Sequence, residues 1–334
     1  MTQPIEMTKR GRIPELDILR GVAIVGVLVL HSSFEGRFTS ETMAVQAIMA
    51  RLFDWAVLAF FFSSGFLHDR SVPFAVVLKK RFLSLLVPFF IYNAFYNLCF
   101  FGMAAMSGFH SGAFELKVNP QVLGMILFQS PAFQLYFLPY LFLISIAVSA
   151  LEKLSGRRYQ WAYAAILALV MLFYLDRGYP QMSHGADIYN LPMYIAMFMI
   201  GIISRPFIEK PLAGPGVILL ALVGVLGLLF FSRSCVVSLL VPPLLTAVAA
   251  GIRAIRQSKL LLLMGSVSGS IYVWHTPLLL PAITRLLAGC GIPSMFNLFG
   301  SIILTLATCL LLRLGLDVMF VRVMKVSTPK YVTL

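Results

Sequence analysis

The chain has 334 residues, 60% of them hydrophobic and 12% charged, with a mean hydropathy of +0.91 and a formal net charge of +13. A soluble domain is nearer to about 45–50% apolar and about 25% charged, so this composition excludes a chain built around one water-facing core, and with it disorder, a coiled coil or a disulfide scaffold. It predicts an all-α fold, a polytopic transmembrane helical bundle, and assigns the basic excess to membrane topology rather than to nucleic acid.

Residues 1–13 are rich in basic side chains and are expected to form a cytoplasmic N-terminal segment; the apolar run that follows has no small-residue cleavage site, so no secretory signal is expected. Ten apolar runs come next, at 14–34, 52–68, 82–106, 133–151, 160–176, 189–207, 212–232, 235–252, 260–287 and 296–321. Each approaches the roughly 20 residues a spanning helix needs. They make 14–321 the membrane domain and leave 322–334 as a cytoplasmic tail. The run 122–128 is too short to cross and reads as an interfacial or re-entrant piece. With both termini inside, 20 of the 26 Lys and Arg residues fall on the cytoplasmic side, the bias that orients multi-pass proteins. The lipid bilayer of the plasma membrane is therefore the first expected partner. The outer loops at 34–51, 106–121 and 176–188 are too small to fold alone. Cys99, Cys235, Cys290 and Cys309 have no metal-ligand spacing, and no metal is expected.

Charged and imidazole groups inside spans are costly, and each is a candidate for function. In the first span Arg20 and His31 are eleven residues apart, close to three whole turns, which puts both on one face about 16 Å apart along the axis. Asp17 lies one turn before Arg20 and can pair with it. In the second span Ser63, Ser64 and Gly65 offer either close helix packing or a narrow polar passage for a ligand. The basic run Lys79, Lys80 and Arg81 precedes the third span; it is an inside anchor or a phosphate site. The ninth span carries Ser266, Ser268, Ser270, Tyr272 and His275, with Tyr272 and His275 sharing a helix face.

These residues, in this order, resemble the integral-membrane acyltransferase family three, which acylates surface glycans. The likeness rests on Asp17 to Ile24 with ten residues between Arg20 and His31, on Phe61 to Phe66, on the basic segment with Arg81 and Pro88, on Leu135 to Leu138, and on Ser268 to His275. Tyr136 stands where the family usually has Trp, a His is common in the family near Gln134, and Lys79 and Lys80 stand where Arg is frequent. The resemblance implies a cytoplasmic acyl-CoA donor, acetyl-CoA foremost, and a carbohydrate acceptor on the outer side. Arg81 and Lys80 would then hold the donor's phosphates, and Ser63, Ser64 and Gly65 its pantetheine arm. His31 is the implied base, since an imidazole with an ordinary pKa near 6.5 takes a hydroxyl proton at neutral pH. Arg20 would orient the donor, His275 would serve as a second base or donor, and Asp17, Tyr272 and Tyr136 would line the substrate. Two other readings stand beside this one: a secondary transporter, against which the lack of mid-span carboxylates speaks, and a non-catalytic membrane component of glycan assembly.

Overall fold

The computed structural model describes residues 13–32, 38–107, 133–177, 190–208 and 235–318, all helical or connecting, with no strand among them. The runs expected at 122–128 and 212–232, and most of the two terminal segments, lie outside those residues. Helix α1 (Pro14–His31) opens with proline in its first turn, where a missing N–H costs least, and sets Glu15 and Asp17 at the positive end of its dipole. Helix α2 (Ser40–Leu52) is capped by the Thr39 hydroxyl, which accepts from the Thr42 N–H at 3.4 Å. A short break leads to α3 (Ala56–Phe66). The outer loop expected across 34–51 is therefore helical from Ser40. Good helix formers such as Met43, Ala44, Ala47 and Met49 follow the cap and carry the helix on.

Helix α4 (Phe74–Arg81) passes through a π-type turn (Phe82–Leu86) into α5 (Val87–Ser107). A 3-10 turn (Phe133–Tyr136) opens α6 (Phe137–Ser155), and another (Gly156–Arg158) joins it to α7 (Tyr159–Arg177). Then come α8 (Leu191–Ile208), α9 (Cys235–Gly251), the short α10 (Arg253–Arg256), α11 (Lys259–Trp274), a π-type turn (His275–Leu279), α12 (Leu280–Gly289) and α13 (Ser294–Val318). The span expected as one piece over 260–287 is bent at that π-type turn. Thr276 leaves helical geometry at φ −135°, ψ 153°, the extended form that Pro277 favours in the residue before it. Among the described residues three stretches are long and apolar enough to cross a membrane, Ser40–Phe66, Gln134–Ser155 and Ser294–Leu316, and three shorter apolar helices accompany them, Tyr159–Val170, Leu191–Arg205 and Ser238–Gly251.

Lipid tails are as apolar as leucine, so helices in a bilayer are held together by close backbone approach and by satisfied polar groups rather than by exclusion of water. Helix α1 packs chiefly on α11, and α3 on α8. At the second of these crossings a Cβ on Gly65 would stand 1.9 Å from the Phe198 carbonyl oxygen, and one on Gly201 2.2 Å from that of Phe62. Only hydrogen fits on either side. Five buried hydroxyls are satisfied within their own helices: Ser63, Ser145, Ser149, Thr246 and Thr284 each donate to the carbonyl four residues earlier at 2.6–2.8 Å. Between the helices the Phe61 ring stacks on Tyr194 at 4.5 Å and meets Phe137 edge-on at 4.8 Å.

Candidate active site

The site is framed by α1 and α11. Near their N-terminal ends the backbones nearly touch: a Cβ on Gly265 would lie 1.8 Å from the Asp17 carbonyl oxygen, and one on Gly21 2.5 Å from that of Leu261. Ten residues beyond Gly21 stands His31, and ten beyond Gly265 stands His275. The two helices therefore run parallel and in register, and about 15 Å above the crossing they bring the two imidazoles together. His31 Nδ1 is 2.7 Å from His275 Nε2, with the ring planes 5° apart.

The hydrogen bonds assign the tautomers. His275 is fully buried, and its Nδ1 lies 2.8 Å from the Tyr272 carbonyl oxygen and 3.0 Å from that of Ile271. A carbonyl only accepts, so His275 Nδ1 carries the proton and its Nε2 the lone pair. The contact between the rings is then donated by His31 Nδ1. A neutral His31 consequently has its lone pair on Nε2, where it can take a proton. Gln134 braces this end of the site: its carbonyl accepts from the Tyr272 hydroxyl and its side-chain amide donates to the Thr276 carbonyl, while Tyr96 donates to the Val273 carbonyl at 2.6 Å.

A cavity of about 190 Å³ is lined by Arg20 and by Tyr272, whose ring lies 6.0 Å from that of His275; neither imidazole is among the residues lining it. Its walls are apolar, with Phe60, Phe137, Leu138 and Leu141 on one side, and Ser64, Ser266 and Ser268 supply hydroxyls. Arg20 closes the lower end, with buried Asp17 as a nearby counter-charge. Arg81, the last residue of α4, stands beside it. Burial pushes the Arg81 guanidinium down to about 10, and the charge of Arg20 adds to the effect. Two guanidinium groups near enough to influence each other have the chemistry to hold a multiply charged anion.

The sequence candidates thus separate. His31, His275, Tyr272, Arg20, Asp17, Arg81 and Ser64 gather along the α1–α11 axis. Ser63 spends its hydroxyl on Ala59, and Gly65 is occupied in the α3–α8 crossing. Lys79 and Lys80 point outward and are exposed. Tyr136 joins a tyrosine cluster, its hydroxyl 3.3 Å from that of Tyr194, and is not among the residues lining the cavity. Sequence reasoning missed the direct contact of the imidazoles and the bracing by Gln134. The signal for the first was present: glycine followed by histidine ten positions later occurs in both spans.

A family model described as an acyltransferase domain matches residues 13–314. The chain belongs to acyltransferase family 3. Neither a curated protein nor a solved structure gives a significant match to it. The matched region takes in both histidines, both arginines and the whole cavity, so this family 3 acyltransferase, a multi-pass membrane enzyme, carries the entire site within its acyltransferase domain.

Proposed function

We propose that this family 3 acyltransferase moves an acyl group, acetyl foremost, from cytoplasmic acyl-CoA to a hydroxyl of a carbohydrate on the outer face of the plasma membrane. The observation that carries this reading is the contact of His31 with His275 beside Tyr272, which lines a cavity whose lining also includes Arg20. The donor's phosphates are anchored by Arg20 and Arg81 with Lys80 at the rim, and its pantetheine arm lies past Ser64 toward Tyr272, in a passage whose walls are held by the packing of Ser63 and Gly65. Tyr136 and Asp17 act at the margins, Tyr136 through the tyrosine cluster and Asp17 on Arg20.

His31 Nε2 accepts the proton of the acceptor hydroxyl as the oxygen attacks the thioester carbonyl. The C–O bond forms, the C–S bond breaks, and the proton passes from His31 to the departing thiolate to give free CoA. His275 is a positioning residue: through Nε2 it accepts from His31 Nδ1 in both charge states, and so fixes the ring and the tautomer. The ten-span arrangement with both termini cytoplasmic belongs to the same reading. It is supported by two parallel pairs: α1 with α11, and α3 with α6, which meet at Phe60–Phe137 and again at His68–Glu152. Alternation places the first and ninth spans in one direction and the second and fourth in the other.

The test is mass spectrometry of surface glycans from cells with the gene, without it, and complemented by His31→Ala. An acyl mass lost on deletion and not restored by a normally expressed His31→Ala protein supports the reading. Restoration by that variant removes the base from His31, and unchanged glycans on deletion remove the carbohydrate acceptor.

A further inference from the structure

A second cavity lies at the other end of α6. It measures about 410 Å³, within the roughly 300–1,000 Å³ typical of small-molecule sites, and is lined by Arg70, Glu152, Lys153, Gly156 and Tyr159. None of these residues has a part in the acyl transfer described above. Given the reading that acyl-CoA is the donor, we propose that this cavity binds the donor's phosphorylated adenosine head, while the first cavity takes the thioester arm.

The lining is suited to a flat base carrying phosphate. The guanidinium carbon of Arg70 sits 3.3 Å over the centre of the Tyr159 ring, and Tyr163 meets that ring edge-on at 5.6 Å and fixes its plane. Stacked guanidinium and phenol make a platform for an aromatic heterocycle. The one carboxylate is already committed. Glu152 accepts the Tyr163 hydroxyl at 2.5 Å, lies 2.8 Å from His68 Nε2 and 3.3 Å from Arg70 Nε, and its side chain is only 5% exposed. With that charge engaged, Lys153 on the last turn of α6 and the exposed edge of Arg70 present the cavity's cationic side to a phosphate. Gly156, at φ +53°, leaves one wall open, since a Cβ there would meet nothing within 4 Å.

The two cavities share two walls. Phe60 and Ser64 of α3 line the first, and α3 leads on through His68 to Arg70 at the second. Leu141 of α6 lines the first and Glu152 the second, eleven residues and about 16 Å farther along the helix. With the donor's diphosphate held by Arg20 and Arg81, its pantetheine arm runs up the first cavity and its adenosine, with the ribose 3′-phosphate, continues the other way to the second.

The experiment uses the full chain in lipid nanodiscs and measures binding of CoA and of dephospho-CoA, which lacks the ribose 3′-phosphate. Lys153 is exposed, so Lys153→Glu is expected to keep the melting temperature of the parent protein. It should weaken CoA by about tenfold or more while changing dephospho-CoA little, the size of one lost charge-assisted contact. Tyr159→Leu should weaken both ligands alike. Equal CoA affinity in the parent and both variants overturns this inference and leaves the donor reading standing. No CoA binding by the parent protein overturns the donor reading together with the inference. Variants that keep CoA affinity but lose a stabilisation by phosphatidylglycerol in the nanodisc would make the cavity a lipid headgroup site, which also overturns it.

Discussion

Gly265→Ala is the sharpest probe of the α1–α11 frame. The added carbon would lie 1.8 Å from the Asp17 carbonyl oxygen, whereas real Cβ contacts essentially never fall under 3.0 Å, so the backbones must part by about 1.2 Å at that point. The atoms met are backbone on both sides and no side-chain rotation relieves them. Helices transmit such a shift as nearly rigid bodies. Carried in full to the histidines, it stretches the 2.7 Å contact between His31 and His275 to about 3.9 Å, outside hydrogen-bond range. Misplacement of a reacting group by about 1 Å is enough to cost on the order of 10²-fold in rate. Gly21→Ala is the graded control: its Cβ would stand 2.5 Å from the Leu261 oxygen and demands a smaller parting of about 0.5 Å. The assay is acyl transfer per unit of folded protein in membranes, with the melting temperature followed in parallel. The expected order of activity is parent, then Gly21→Ala, then Gly265→Ala. A folded Gly265→Ala enzyme with parental kcat, or a reversed order of the two variants, refutes the claim that this crossing sets the histidine geometry.

Three further outcomes are expected. His275→Ala, which removes the partner that holds His31 Nδ1, lowers kcat by about 10²-fold while the KM for the donor stays near its parental value, because misplacing a reacting group by about 1 Å costs on that order; steady-state kinetics with varied donor reads both terms. Arg81→Ala raises the KM for acyl-CoA by about tenfold with smaller change in kcat, and in the parent protein CoA binding holds to about pH 9 and weakens as the pH passes about 10, since burial and neighbouring Arg20 disfavour the cation and it is lost there instead of at the higher pH usual for a guanidinium. Gly65→Ala forces the α3–α8 crossing apart and lowers stability by about 1–3 kcal/mol, read as a fall in melting temperature of the detergent-solubilised protein.

The helical architecture was legible because membrane insertion writes itself into composition: apolar runs of spanning length give helices. The candidate site was legible where an ionisable group sits in such a run: His31 and His275 meet, and Arg20 lines the cavity that Tyr272 also lines. What escaped were the relations between helices. Ser63, Ser64 and Gly65 look alike as a polar patch, yet their successive 100° steps around α3 send one hydroxyl to its own helix, one to the cavity and one backbone against Phe198. The run Lys79 to Arg81 reads as one basic cluster, but only Arg81 turns inward to Arg20. The stretch from Ser40 reads as a loop in sequence because its mixed polarity hides a well-capped helix. Tertiary neighbours decide such cases, and periodicity along one chain segment does not contain them.

The two peptide carbonyls beneath His275 also constrain the order of events. They are dipoles with no capacity to receive a proton, so the route through the second imidazole is a dead end, and what enters at His31 Nε2 must leave from the same atom. In the proposed transfer the departing sulfur therefore has to come to the place the acceptor oxygen occupied, while both substrates are still bound. Initial-rate plots with both substrates varied should accordingly give intersecting lines, the pattern of a ternary complex, rather than the parallel lines of a ping-pong exchange.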